Sequence, residues 1–326
     1  MTLSRGEDTA DGWRAALFPH PAVWIITALL LPAIAAWADV SGMSISANGM
    51  RLLYLAGGAA CFAGGVMLAR RGYSRMHMAL MTLAFFILFG MEARVLNYLF
   101  VTLGAPWRDA ALARADAALG FDWLAYVSWV NRHATARDYL QIFYDSHKLL
   151  FAVTLGYLAI KGMRARLREF LLLFIATALA TVVIGGFFPA VGGFAHYAPD
   201  SALTGNLPAR AGRYFLPHLL PLHAGHMHHI DLGNMTGLTA FPSFHTVMAL
   251  MVIHALRGTP LVAVFSILCL GMIAATPVFG GHYLADVIAG AALFTLAAIM
   301  LRRLAPEAPQ RDGPSPAANC VAQPAE

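Results

Sequence analysis

Charge is what this chain has least of. Asp, Glu, Lys and Arg make up 12% of its 326 residues, roughly half the share of a typical soluble domain, and that scarcity argues against an ordinary solvated globule. Cysteine is nearly absent as well. Cys61 and Cys269 lie within apolar runs and Cys320 lies in a tail, so no disulfide framework is available. No Cys accompanies the histidine-rich stretch "HLLPLHAGHMHH" at 218–229, and its spacing matches no closed tetrahedral pattern. We read it as a flexible polar loop rather than a zinc or copper centre. The first apolar run is not followed by a small-residue cleavage pattern, so it reads as a retained span, not a signal peptide.

Apolar residues are what the chain has in abundance: 59% hydrophobic, with a mean hydropathy of +0.64. Several runs approach the ~20 residues that carry a helix across a bilayer. They predict an all-α, polytopic membrane helical bundle with about eight spans, near 22–38, 52–69, 77–102, 139–160, 169–190, 242–256, 260–278 and 283–301. A soluble bundle of buried helices is the competing reading, and the run lengths speak against it. The net charge of +5 does not imply nucleic acid as a partner. The basic residues sit in short loops between apolar runs, at Arg70, Arg71 and Arg75, at Lys161, Arg164, Arg166 and Arg168, at Arg257, and at Arg302 and Arg303. That is the distribution of cytoplasmic loops. It places both termini inside and the long loops outside, in an inner or plasma membrane.

The expected organisation is a cytoplasmic arm over 1–21, two extra spans over 22–76, a six-helix catalytic core over 77–301, and a Pro- and Ala-rich disordered tail over 302–326. "GGAACFAGG" in the second span is suited to close helix packing. Between spans three and four, Trp107 to Leu119 reads as a surface helix closed by Gly120. Phe121, Trp123, Tyr126 and Trp129 follow as an interfacial aromatic belt. No feature of the sequence sets an oligomeric state.

Two polar doorways open into apolar runs. In "FPSFHTVMALMV", His245 stands at the mouth of span six; 37 residues later, in "FGGHYLADVIAGAAL", His282 and Asp286 stand at the mouth of span eight. Span seven is the return limb, so both histidines come to one face of the membrane. His282 and Asp286 are four apart and share a helix face. The carboxylate can fix one imidazole nitrogen and leave the other as nucleophile or base. Pro242 suits the first turn of a helix, and Gly280 and Gly281 let a ligand approach the backbone. Two helix N-termini facing one space would suit a phosphate.

"PSFH" at 242–245 and "GHYLADV" at 281–287 resemble the second and third motifs of the type 2 phosphatidic acid phosphatase (PAP2) superfamily, which are P-S-G-H and S-R-x5-H-x3-D. Phe244 stands at the Gly place and Thr276 at the Arg place, and the K-x6-R-P motif is missing. These departures, with "ADAALGFDW" and "FFPAVGGF", resemble the inositol phosphorylceramide synthase, or inositolphosphotransferase, branch over roughly residues 77–301. The resemblance implies a catalytic triad: His282 attacks phosphorus and becomes a phosphohistidine, Asp286 orients it, and His245 protonates the leaving oxygen. It implies no metal and no cofactor, a membrane lipid or lipid phosphate as substrate, and Ser243 and Gly281 beside the phosphate.

The missing motif leaves the phosphate short of guanidinium partners. Arg94 with Glu92 in span three, and Lys148 with Asp145 and His147 in span four, are intramembrane charges and candidate replacements. An ion pair between the two spans is the structural alternative. Arg210 and Arg213 in the outer loop are further candidates. The expected function is transfer of a phospho-headgroup between lipids at the non-cytoplasmic face. A lipid-phosphate phosphatase is the nearest alternative, and a transporter or metal-binding membrane protein is the alternative from another class.

Overall fold

Long apolar runs fold as helices because a helix satisfies every backbone N–H and C=O within itself. The computed structural model describes residues 16–304, so the first fifteen residues of the expected arm and the tail from Ala305 onward, Cys320 included, lie outside the described residues. Among the described residues, six helices are long and apolar enough to cross a membrane. They are α1 (Pro21–Val40), α2 (Gly49–Arg70), α3 (Ser74–Val101), α8 (Arg164–Phe187), α13 (Val262–Ala275) with the π-helical turn Thr276–Gly280 that extends it, and α14 (Leu284–Leu304).

The fourth and sixth apolar runs are shorter helices. The fourth is α6 (Ala134–Asp145) and α7 (His147–Ile160), with a break at Ser146, not one helix. Two side chains compete there for backbone carbonyls: Ser146 Oγ donates to Phe143 O at 2.7 Å and His147 Nδ1 bonds Tyr144 O at 2.8 Å. Such local bonds bend helices. The sixth run is α12 (Phe244–Ala255), 12 residues and so only about 18 Å long.

The remaining helices cover the site end of the bundle: α4 (Asp109–Ala118), α5 (Trp123–Arg132), α9 (Gly193–Tyr197), α10 (Ser201–Thr204) and α11 (Leu216–His223). Gly120 follows α4 at φ +74°, the left-handed conformation that closes a helix. The histidine-rich stretch is not a flexible loop. It folds as α11 and strand β2 (His229–Asp231), and β2 pairs in parallel with β1 (Ser44–Ser46), Ile45 opposite Ile230. The His229 ring is pinned between Ser44 Oγ and Ser46 Oγ, each at 2.9 Å.

Packing centres on α3. Its Phe85, Phe86 and Phe89 meet Phe174 of α8, and Phe151 of α7 closes the same cluster. The small residues of α2 do what their pattern predicts: Gly58 and Gly65 lie against Ile87 and Met81 of α3 with no room for a Cβ. At the opposite end, Glu169 holds α8 to the end of α12 through His254 and Arg257, each at 2.8 Å. These contacts fix where α12 and α14 begin, and the site lies between those two beginnings.

Candidate active site

Helix α12 starts with Ser243 as its cap. The Ser243 Oγ accepts the Thr246 N–H at 3.4 Å, so Pro242 precedes the cap and is not in the first turn as the sequence suggested. A second bond ties this start to the other doorway: Ser243 N–H donates to Asp286 O at 3.0 Å. The approach is possible because Gly290 of α14 faces Ser243 O and Thr246 where any Cβ would collide. The two doorway histidines therefore meet, with ring centroids 6.0 Å apart.

His282 Nδ1 faces Asp286 Oδ2 at 3.4 Å, and both side chains are buried. Asp286 Oδ2 also accepts Tyr283 N–H at 2.9 Å, which locks the carboxylate under the ring. This assigns the proton to Nδ1 and leaves Nε2 with its lone pair. Nε2 looks onto Gly280: the point where a Cβ on Gly280 would stand is 3.1 Å from His282 Nε2 and 3.2 Å from Tyr144 Oη. Gly281 has a different task. Its φ is +72°, and Gly212 O occupies the place of its Cβ, so the close approach there is made by the protein's own backbone. The space beside the nucleophile belongs to Gly280.

The segment that bears His282 is clamped from outside. Trp123 Nε1 donates to His282 O at 3.0 Å and Gly193 N–H to Gly281 O at 2.9 Å. Asp109 accepts the N–H groups of Val191 and Gly192 and the Tyr283 hydroxyl at 2.9–3.0 Å. Asp116 accepts Leu284 N–H at 2.9 Å and Ala285 N–H at 2.8 Å. Burial holds the Asp116 carboxyl above the usual carboxylate range, and the N–H bonds from Ala285 and Leu284 offset only part of that rise. These contacts change one expectation. The first N–H groups of α14 are taken by Asp116 and Asp286, so this helix start is not open to a phosphate. At α12, by contrast, the N–H groups of Phe244 and His245 have no acceptor among the described residues. One helix N-terminus, not two, is free for an anion.

The other candidates are placed as follows. Ser243 is fully buried and serves as the cap. Arg213 lies with its guanidinium 4.8 Å over the Phe194 ring. Arg94 and Lys148 are exposed on their helices, and no ion pair among the described residues joins either to a carboxylate. Glu92 is buried, with Oε2 lacking a hydrogen bond among the described residues. Thr276, at the place of the missing Arg, is fully buried; its hydroxyl bonds back to Ile273 O and its carbonyl accepts His282 N–H. Phe244 turns into the core against Phe174, with centroids 5.6 Å apart, so it does not roof the site. In the histidine-rich region, His218 Nδ1 meets Tyr98 Oη and His223 Nε2 meets Ala105 O.

Two residues that the motifs do not contain, Tyr144 and His147, lie against His245, and a third, Tyr214, is bonded to Tyr144. The rings of Tyr144 and His147 lie 4.7 and 5.3 Å from that of His245, and Tyr144 Oη meets Tyr214 Oη at 3.3 Å. The sequence held one signal for two of them. Tyr144 and His147 are three apart at the start of an apolar run, the spacing of a shared helix face.

These features define a helical membrane protein whose histidine pair and orienting carboxylate sit at helix starts, a constellation equipped for phosphoryl chemistry. The family comparison agrees: the model described as PAP2 superfamily matches residues 110–300, more than half of the chain. The chain belongs to this superfamily and is an enzyme of its phosphatase or phosphotransferase type. No match to it was found among curated proteins or solved structures.

Proposed function

We propose that this protein is a metal-independent lipid phosphotransferase that moves a phospho-headgroup from one lipid to another through a phosphohistidine. The observation that carries the reading is the placement of the His282 ring, with Nε2 beside Gly280 and Asp286 behind Nδ1. In the first half-reaction Nε2 forms a bond to phosphorus, the bond to the leaving oxygen breaks, and His245 gives that oxygen its proton. In the second, the acceptor hydroxyl loses its proton to His245 as its oxygen bonds phosphorus and the P–N bond breaks.

Transfer from a phosphodiester is supported by the donors at hand. Those that the described residues place beside the histidines are the Phe244 and His245 N–H groups and the Tyr144 hydroxyl, itself bonded to Tyr214, all neutral. A phosphodiester carries one negative charge, whereas a phosphomonoester carries about 1.5 to 2 at neutral pH. The cation-poor surroundings suit the diester, as in the inositolphosphotransferase-like branch. Arg94, Lys148 and Arg213 remain candidate headgroup contacts.

In this reading α7 and α12 complete eight membrane-embedded helices, and the six from α3 onward form the catalytic core. The basic loops at the far end put the site on the non-cytoplasmic face. A reporter inserted near Gly225 should then read external and one after Arg303 cytoplasmic; the reverse would move the site to the other leaflet. The direct test is to incubate purified protein with fluorescent phosphatidylinositol, phosphatidylglycerol and phosphatidylethanolamine plus an acceptor lipid, and to separate the lipid products. A headgroup on the acceptor is the expected result. Free phosphate or phospho-headgroup alone would mark a phosphatase. Absence of lipid chemistry, with His282 freely replaceable, would point to the transporter alternative.

A further inference from the structure

We infer that His147 is the positioning residue of His245, holding the acid–base histidine as Asp286 holds the nucleophile. The inference rests on the phosphotransfer reading above and extends it to a residue outside both motifs. His282 has a carboxylate behind it; His245 has no hydrogen bond among the described residues, yet it must hold a proton and aim it at the leaving oxygen. The ring best placed to help is His147, 5.3 Å away between centroids and nearly perpendicular, at 84°. Two imidazoles that share an N–H···N bond have centroids about 5 Å apart, so a small rotation of the His245 ring closes the contact.

The tautomer is set for this task. His147 Nδ1 lies 2.8 Å from Tyr144 O. A carbonyl only accepts, so Nδ1 carries the hydrogen and Nε2 keeps its lone pair. A lone pair can accept one N–H of His245 in both its protonation states, more strongly from the imidazolium, and so leaves the other ring nitrogen to carry the proton that is transferred. No proton leaves the cycle: His245 loses one to the leaving oxygen and regains one from the acceptor hydroxyl, while His147 holds the ring through the neutral state between and steadies the charged states before and after. The break at Ser146 serves the same end. It turns His147 and Tyr144 toward His245, while Asp145 and Lys148 remain exposed. Tyr144, bonded to Tyr214, lies against the His245 ring beside His147, its centroid 4.7 Å from the former and 6.2 Å from the latter, and limits the swing of His245.

The test compares two methyl aryl phosphodiesters, one with a p-nitrophenyl and one with an unsubstituted phenyl leaving group. The phenyl ester needs its leaving oxygen protonated; the p-nitrophenyl ester hardly does. His147→Phe should slow the phenyl ester roughly ten- to hundredfold and the p-nitrophenyl ester less than about threefold. His147→Gln, which offers an acceptor oxygen on a similar reach, should recover much of the loss. Equal slowing of both esters without rescue by Gln would make His147 a packing residue and overturn the inference, as would normal rates on both. His282→Ala is the control for the parent reading: if it turns over either ester fully, or if the unaltered protein turns over neither, that reading falls first.

Discussion

Ser243 donates its backbone N–H to the carbonyl of Asp286 at 3.0 Å, and that bond joins the two halves of the site. The cap of one helix is tied to the first turn of another, so the separation of His245 and His282 is set by backbone, not by flexible side chains. Geometry held in this way costs no reorganisation when charge develops.

The triad should therefore divide cleanly by role. His282→Ala should abolish turnover. Asp286→Asn should lower it severely, because an amide can present its N–H side to Nδ1 and favour the wrong tautomer. His245→Ala should cost about 10²–10⁴-fold on a lipid leaving group and much less on an activated aryl ester. Steady-state rates on both substrates check this, and full activity in His282→Ala would end the proposal. Vanadate, a mimic of five-coordinate phosphorus, should inhibit, and EDTA should not.

Gly280 offers a sharper probe. A methyl group there would stand 2.6 Å from His282 Cδ2 and within about 3 Å of both His282 Nε2 and Tyr144 Oη, so the space beside the nucleophile would be filled. Gly280→Ala should remove most activity, on the order of 10²-fold or more, while the protein keeps its detergent-solubilised melting profile. Undiminished turnover would mean that phosphorus approaches His282 from another direction.

How much of this could be read beforehand differs between backbone and site. The helices were legible because hydrophobic length alone demands them, and the His282–Asp286 pair because four residues on a helix share a face. The break at Ser146 was not, since it comes from hydroxyl and imidazole bonds to carbonyls within a run that stays apolar on average. Nor was the loss of the α14 N-terminus as an anion site: Asp116 reaches Leu284 across 168 residues of sequence. Asp145, His147 and Lys148 stand together as polar residues in one apolar run, yet only His147 faces His245 while the other two are exposed, and no hydropathy pattern separates adjacent residues that point in opposite directions.

Asp116 itself should be a structural keystone of the catalytic segment. Asp116→Ala would leave two N–H groups at the start of α14 without acceptors, at a cost of about 2 kcal/mol, and would let the His282 segment drift. Thermal unfolding should shift down by several degrees, with a fall in turnover larger than the lost stability explains. Asp116→Asn, which keeps one acceptor oxygen, should lie between. An unchanged melting point and rate would show that Trp123 and Asp109 suffice to hold the segment.

The choice between water and a lipid alcohol as acceptor turns on how wet the phosphohistidine is. Phe244 does not decide it, because its ring packs on Phe174 away from the histidines. The surroundings of His282 do bear on it. The ring is 3% exposed, Trp123 and Tyr283 beside it are more deeply buried still, and α4, α5 and α9 close over that side. His147 and Tyr144 lie against His245 at the break in the α6–α7 run. A nucleophile closed off in this way favours the membrane alcohol over water, so transfer should exceed hydrolysis. Vesicles containing a fluorescent phospholipid donor and increasing ceramide or diacylglycerol provide the measurement. The transferred product should rise with acceptor while the hydrolytic product falls, since both compete for one intermediate. A hydrolytic product that stays constant and alone at every acceptor concentration would show that water reaches the phosphohistidine unopposed, and the enzyme would be a phosphatase.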